Sequence, residues 1–442
     1  MQVASPPVRP SPRQAESAPE PCSVQRFYPP PIEEWRETGL PGTLLEALVI
    51  KCLFTSGEQT GRNVSKALAL PPKPVLDVLQ SLKNAQLAYY KDSATMGDFQ
   101  YALSEAGRDR ARKLLDESMY VGAAPVPFEY YVESVSAQSI TTEKPGVKEV
   151  QAAFSDVVIS DAMQRRLGPA INSGRGLFLY GAPGNGKTTM AERITRCFGS
   201  HIWIPHAIYV DGEIIKFYDP QSHIAVGSNG PSVLKGENYD PRWIKIERPT
   251  IIVGGELTME SLELQFNPFT KITEPSVQLK SNCGTLVIDD FGRQRMAPVD
   301  LLNRWIVPLE KRFDYLSLST GTKIQVPFDQ LIIFSTNLEP RELVDDAFLR
   351  RIPYKINVLD PPVDQYRDLM KFTADLFNIE YVHDVVEDLI ERHYLQCNRP
   401  LRCCHPRDLL LQIINIAAYN ECEVKMTKEA FDAAVDNYFA VM

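Results

Sequence analysis

The chain has 442 residues, 44% of them hydrophobic and 23% charged, with a formal net charge of −9. That length predicts two or three globular domains, and the acidic balance argues against bulk attraction to nucleic acid. No apolar run reaches the roughly 18 residues of a membrane span, and eight scattered cysteines suit a reducing cytoplasm rather than a disulfide-stapled secreted fold.

Residues 1–41 hold ten of the 34 prolines, including Pro29-Pro30-Pro31, and read as a Pro-rich disordered or extended arm. The first 20 residues lack the apolar core of a secretory signal. From residue 42 the texture changes. Leu44, Leu45, Leu48, Val49 and Leu53 have helical spacing, residues 61–68 read as a second helix, and residues 74–85 as a third with Pro74 at its start. Two aromatic runs, 87–90 and 99–103, flank a polar turn containing Gly97-Asp98, a hairpin signal, and a last helix follows over 105–117.

Three helices, a hairpin and a closing helix resemble a winged helix-turn-helix domain over residues 42–118, and the stretch from Tyr101 to Arg108 is similar to the wing exit of such regulators. This segment carries ten Lys/Arg against nine Asp/Glu, a net of +1, and its third helix holds only Lys73 and Lys83 against Asp77. Phosphate contacts dominate affinity for DNA, so a protein-docking or oligomerisation module is favoured over nucleic-acid binding.

Residues 119–149 read as a linker with an expected strand over 128–135. The apolar run 177–180 reads as a buried strand, and residues 190–198 as a helix. Between them lies Gly181-Ala182-Pro183-Gly184-Asn185-Gly186-Lys187-Thr188-Thr189, which fits G-x-x-x-x-G-K-[ST]. A strand, a glycine loop and a helix N-terminus aim successive backbone N–H groups at one point, which suits phosphate. Lys187 would reach the β- and γ-phosphates of ATP, and the Thr188 hydroxyl would ligate Mg²⁺.

Residues 211–282 are expected to be an insertion, with 242–247 and 250–253 paired as a hairpin across Arg248-Pro249 and a short helix over 256–264. Phe217-Tyr218 reads equally as an aromatic pore loop or as core. Residues 285–288 form an apolar strand ending in Asp289-Asp290, and residues 331–335 another ending in Thr336-Asn337. A strand that delivers a carboxylate to its C-terminal edge is how P-loop folds hold Mg²⁺, and Asp289 takes that place. Arg350 and Arg351 precede an expected fifth strand over 352–358, and a helical tail fills residues 361–442. Cys397, Cys403, Cys404 and His405 lie close in sequence, but the absence of a C-x₂-C pair argues against zinc.

Together these motifs resemble the AAA+ ATPase family over residues 150–442, and within it bacterial predicted ATPases with chaperone activity. The resemblance implies an α/β fold: a five-stranded parallel AAA+ core over 150–360 and a helical lid over 361–442. It also implies ATP hydrolysis. Asp290 stands where the family usually places a water-orienting Glu, Asn337 matches sensor 1, and Arg407 in His405-Pro406-Arg407 matches sensor 2. Arg351, with Arg350 as reserve, matches the finger that enters a neighbour's site. A homo-oligomeric ring remodelling a protein client is the implied function. The alternatives are a DNA-associated loader or regulator and a nucleotide-gated scaffold with little hydrolysis.

Overall fold

A computed structural model describes residues 27–93, 97–227, 239–344 and 346–440. The N-terminal unit comprises α1 (Gly42–Ser56), β1 (Gln59–Thr60), α2 (Gly61–Ala67), α3 (Pro72–Asn84), β2 (Ala88–Ser93), β3 (Phe99–Leu103) and α4 (Glu105–Glu117). Its strands form an antiparallel sheet in the order β1-β3-β2. Side-chain caps set two helix starts: the Thr60 hydroxyl accepts the Asn63 N–H, and the Ser104 hydroxyl accepts that of Gly107. A Cβ on Gly107 would lie 2.0 Å from the Leu87 carbonyl oxygen, so only glycine lets α4 close on the hairpin.

Residues 27–41, expected within the disordered arm, are packed against the rest of the chain. Phe27 lies 5.2 Å from the Trp243 ring and Tyr28 lies 5.8 Å from that of Trp203, while Ile32 is buried. The run of prolines at 29–31 favours extended backbone, and the apolar side chains around it supply the surface that docks it. Residues 1–26 lie outside the described residues.

The linker is built into the fold through β4 (Val126–Pro127) and α5 (Phe128–Ala137). The strand expected over 128–135 is thus a helix. Phe128, Tyr131, Val132 and Val135 follow i, i+3, i+4, i+7 spacing and face one core, a helical period hidden by their aromatic and β-branched character.

Next come α6 (Val147–Ala153), α7 (Asp161–Ser173), β5 (Leu177–Tyr180) and α8 (Lys187–Ile194). Five strands follow: β6 (His201–Pro205), β7 (Ala207–Val210), β8 (Glu213–Lys216), β9 (Trp243–Glu247) and β10 (Thr250–Val253). The chain continues through β11 (Gln265–Asn267), β12 (Ile272–Glu274), α9 (Val277–Lys280) and β13 (Thr285–Ile288). Then come α10 (Pro298–Arg304), α11 (Ile306–Lys311), β14 (Phe313–Ser317), β15 (Lys323–Pro327) and β16 (Leu331–Thr336). The short helices α12 (Pro340–Leu343) and α13 (Asp346–Leu349) lead into β17 (Tyr354–Asn357).

The central sheet is five-stranded and all parallel, in the order β10-β13-β16-β5-β17. Strands β13 and β16 are buried at every residue, as a sheet covered on both faces demands. The sheet corrects the expected hairpin over 242–253. Strand β9 pairs antiparallel with β6, from His201 opposite Glu247 to Pro205 opposite Trp243, whereas β10 joins the parallel sheet beside β13. A two-residue hairpin needs positive φ at its turn, which proline cannot adopt, so Arg248-Pro249 carries the chain from one sheet to the other. Residues 211–282 therefore contain a core strand as well as added structure, and the expected helix over 256–264 shrinks to a 3-10 turn at Glu260–Leu262.

A second sheet runs in the order β11-β12-β8-β7-β4, and β14 and β15 form a hairpin with which it shares one apolar core. Sequence reasoning passed over that hairpin, although Leu316, Ile324 and Val326 alternate with exposed residues around Thr320-Gly321. The C-terminal unit consists of α14 (Val363–Leu376), α15 (His383–Ile390), α16 (His405–Tyr419) and α17 (Lys428–Tyr438) around its own core of Tyr366, Met370, Val386, Leu409 and Phe431. Among the described residues, no helix is long and apolar enough to cross a membrane.

Candidate functional site

Three central strands end at one place. Strand β5 runs into Gly181, β13 into Asp289 and β16 into Asn337, so the C-terminal edge of a parallel sheet, where ligands of open α/β folds bind, carries all three. Gly181 has φ +136°, and a Cβ there would lie 2.4 Å from the Val358 carbonyl oxygen. Gly184 and Gly186 also have positive φ, and the space beside Gly186 is open. Helix α8 begins at Lys187, so its unpaired N–H groups face the space above the loop.

The Lys187 ammonium donates to the carbonyls of Gly181 (2.9 Å) and Ala182 (3.0 Å) and to Asn337 Oδ1 (2.7 Å). Burial pushes its pKa below the ordinary lysine value, against the pull of the Asp289 and Asp290 carboxylates. Thr188 Oγ1 donates to Asp289 Oδ2 at 2.9 Å. A hydroxyl and a carboxylate side by side are the hard oxygen donors that suit Mg²⁺. Asp290 has φ +47°, left-handed backbone that is unusual outside glycine, and its Oδ1 lies 3.4 Å from Asn337 Nδ2.

These groups surround a cavity of about 550 Å³ that Pro183, Gly184, Thr189 and Arg407 also line. The cavity therefore gathers most of the residues singled out in the sequence. Arg407 reaches it from α16, its guanidinium exposed and 3.0 Å from Asp408. Asn185 turns away from solvent: its Nδ2 donates to Asp360 Oδ1 at 2.7 Å. A smaller, mainly apolar hollow of about 210 Å³ adjoins, lined by Ile159, Met163, Met190, Val358 and Pro362 with Asn185 and Asp360 at its polar side.

Arg350 and Arg351 do not line this cavity. They line a separate cleft with Arg175 and Arg312, and Arg351 Nε donates to Glu310 Oε1 at 2.7 Å. Sequence reasoning missed Arg293, which lines the same cavity four residues after Asp289, and Cys403 and Cys404, which line it from the C-terminal unit. The two thiols have no signal pointing to the loop, because more than 200 residues separate them from it. Burial raises the pKa of both, that of Cys403 to about 11.

Two other groups singled out in the sequence have defined positions. Phe217 is fully buried against Tyr131, at 4.9 Å between ring centres, so it is core and not a pore-loop residue. Tyr218 stacks on His223. The cysteines and His405 face different partners: Cys397 Sγ reaches the Arg392 carbonyl and His405 Nδ1 the Tyr394 hydroxyl. Among the described residues no group of three His, Cys, Asp or Glu side chains converges to hold a metal ion.

A family model described as Domain of unknown function (DUF8689) matches residues 362–437, the four C-terminal helices. No curated protein matches the chain. Among solved structures, a mutant of Thermotoga maritima RuvB is similar, with 12% identity, a TM-score of 0.37, and 64% of this chain and 71% of that one covered. A second RuvB mutant from the same organism gives 12% identity, a TM-score of 0.35 and coverage of 69% and 74%. Likeness this distant bears on neither activity nor partners, and the chain's own geometry carries the functional reading.

Proposed function

We propose that the chain is an AAA+ ATPase that hydrolyses ATP within a homo-oligomer and uses the cycle to remodel a protein partner. The observation that carries this reading is the convergence of Lys187, Thr188, Asp289, Asp290 and Asn337 on one cavity beside an apolar hollow. The loop amides and Lys187 would hold the triphosphate, whose oxygens replace Asn337 and the loop carbonyls as partners of the ammonium. Mg²⁺, held by Thr188 and Asp289, would neutralise charge on the β- and γ-phosphates. Asp290 and Asn337 would orient a water in line with the bond to the leaving oxygen. That water's oxygen would bond to the γ-phosphorus as the bond from phosphorus to the ADP oxygen breaks, one water proton staying on the released phosphate and the other passing to solvent.

Arg350 and Arg351 do not line their own cavity, which suits a finger acting on a neighbouring copy. The unit over residues 42–118 would serve as a winged-helix docking module, its near-neutral charge favouring protein over DNA. Steady-state phosphate release measured against protein concentration tests the reading. Turnover should rise as the chain assembles, and Arg350→Ala combined with Arg351→Ala should lower it by about 10³-fold or more. A rate indifferent to both concentration and the arginines would remove the assembled mechanism.

A further inference from the structure

Asn185 occupies one of the variable positions of the glycine loop, where a side chain has no duty toward phosphate. It is nonetheless 1% exposed. Its Nδ2 donates to Asp360 Oδ1 at 2.7 Å, and its Oδ1 accepts the Cys403 N–H at 3.4 Å. Only one amide orientation satisfies both partners, because a carboxylate must accept and an N–H must donate. Asp360 lies between the last strand of the central sheet and the first helix of the C-terminal unit, and it also accepts the Arg402 guanidinium. One residue earlier, the Gly184 carbonyl accepts the Cys404 N–H at 2.8 Å, and a Cβ on Gly184 would stand 2.6 Å from Cys404 Sγ. The apex of the glycine loop is thus clasped by Asp360, in the segment between β17 and α14, and by residues 402–404, which lead directly into α16 and Arg407.

We propose that Asn185 is a positioning residue that couples the phosphate loop to the lid, so that a nucleotide ordering the loop also fixes residues 402–404 and the guanidinium of Arg407. At this position the backbone suffices for the loop's part in holding phosphate, and the buried amide adds the mechanical link. The nucleotide part rests on the proposed ATPase reading, whereas the clasp itself exists without ligand. A carboxylate-bound hydrogen bond is stronger than a neutral one, and its loss should open the clasp about tenfold more often.

Hydrogen exchange of the Cys403 and Cys404 amides in the full chain tests this, first without nucleotide. Asn185→Ala and Asn185→Asp should each speed exchange about tenfold. The second places two carboxylates face to face, so combining Asn185→Asp with Asp360→Asn should restore slow exchange by reversing the polarity of the bond. Arg402→Ala, outside the loop, should speed exchange in the same direction and guards against a misfolded loop variant. With ATP present, wild-type exchange at these amides should slow further. Asn185→Ala should bind ATP within a few-fold of wild type yet lose that extra slowing and lower kcat more than it raises KM. Unchanged exchange in both Asn185 variants would overturn the proposal, as would failure of the paired exchange to restore protection. If the ligand-free results hold while the wild type binds no ATP, the clasp stands and the nucleotide reading falls.

Discussion

His405 opens α16 with its ring buried among Tyr394, Tyr438 and Phe439, hydrogen-bonded to the Tyr394 hydroxyl at 3.1 Å. Burial, reinforced by the Arg402 guanidinium and against the pull of Asp408, lowers its pKa from 6.5 to about 4. The folded chain therefore resists a proton that the unfolded chain accepts. Stability from the neutral ring is complete above pH 6.5 and declines as pH falls toward 4, by about 1.4 kcal/mol per unit across that window. Thermal unfolding followed between pH 7.5 and 5 should show a falling Tm, with His405→Gln giving a flatter curve than wild type. Equal slopes would place the proton uptake elsewhere.

At this scale the loop residues were legible because their spacing is the chemistry: glycines, then lysine and threonine, between a strand and a helix. Asn185 was legible as a loop member but not as a clasp, since its partners Asp360 and Cys403 are fixed by tertiary structure alone. Arg293 went unread because a single arginine after two acids has no periodic or spacing signal.

Among the elements, β9 is preceded by a deeply buried ion pair. Arg242, 1% exposed, grips the Asp240 carboxylate through Nε and Nη2, the latter at 2.9 Å. Its Nη1 donates to the carbonyls of Thr38 (2.8 Å) and Pro125 (3.0 Å), tying the segment before α1 and the chain before β4 to the start of β9. Removing one partner leaves a buried charge and two orphaned carbonyls, so Arg242→Ala should cost about 3–5 kcal/mol. A lower urea midpoint with accelerated proteolysis of residues 27–41 would be the signature, and an unchanged midpoint would contradict it.

The core strands were readable because a sheet covered on both faces demands unbroken apolar runs. The second sheet resisted reading because β4, β7, β8 and β12 are 2–4 residues each and gather from distant parts of the chain. Strand β10 was assigned to a hairpin because a local partner was nearer in sequence than β13, its true neighbour.

On the scale of the whole molecule, several apolar cores divide the labour. One belongs to the N-terminal unit, two sandwich the parallel sheet, another underlies the second sheet, a small one gathers Val126, Trp203 and Trp243, and one fills the C-terminal helices. The cavity lies between the sheet and those helices, so a ligand there touches both bodies. Hinge motion between two such bodies is how closure commonly follows ligand binding. The account stands on one claim, that this cavity holds a nucleoside triphosphate through the loop amides and Lys187. Titration of ATP with Mg²⁺ into the full chain, wild type against Lys187→Ala, tests it most directly. Binding should be saturable, one-to-one per chain, and weakened at least about tenfold by Lys187→Ala. Equal affinity in both proteins, or no binding by the wild type, would contradict it.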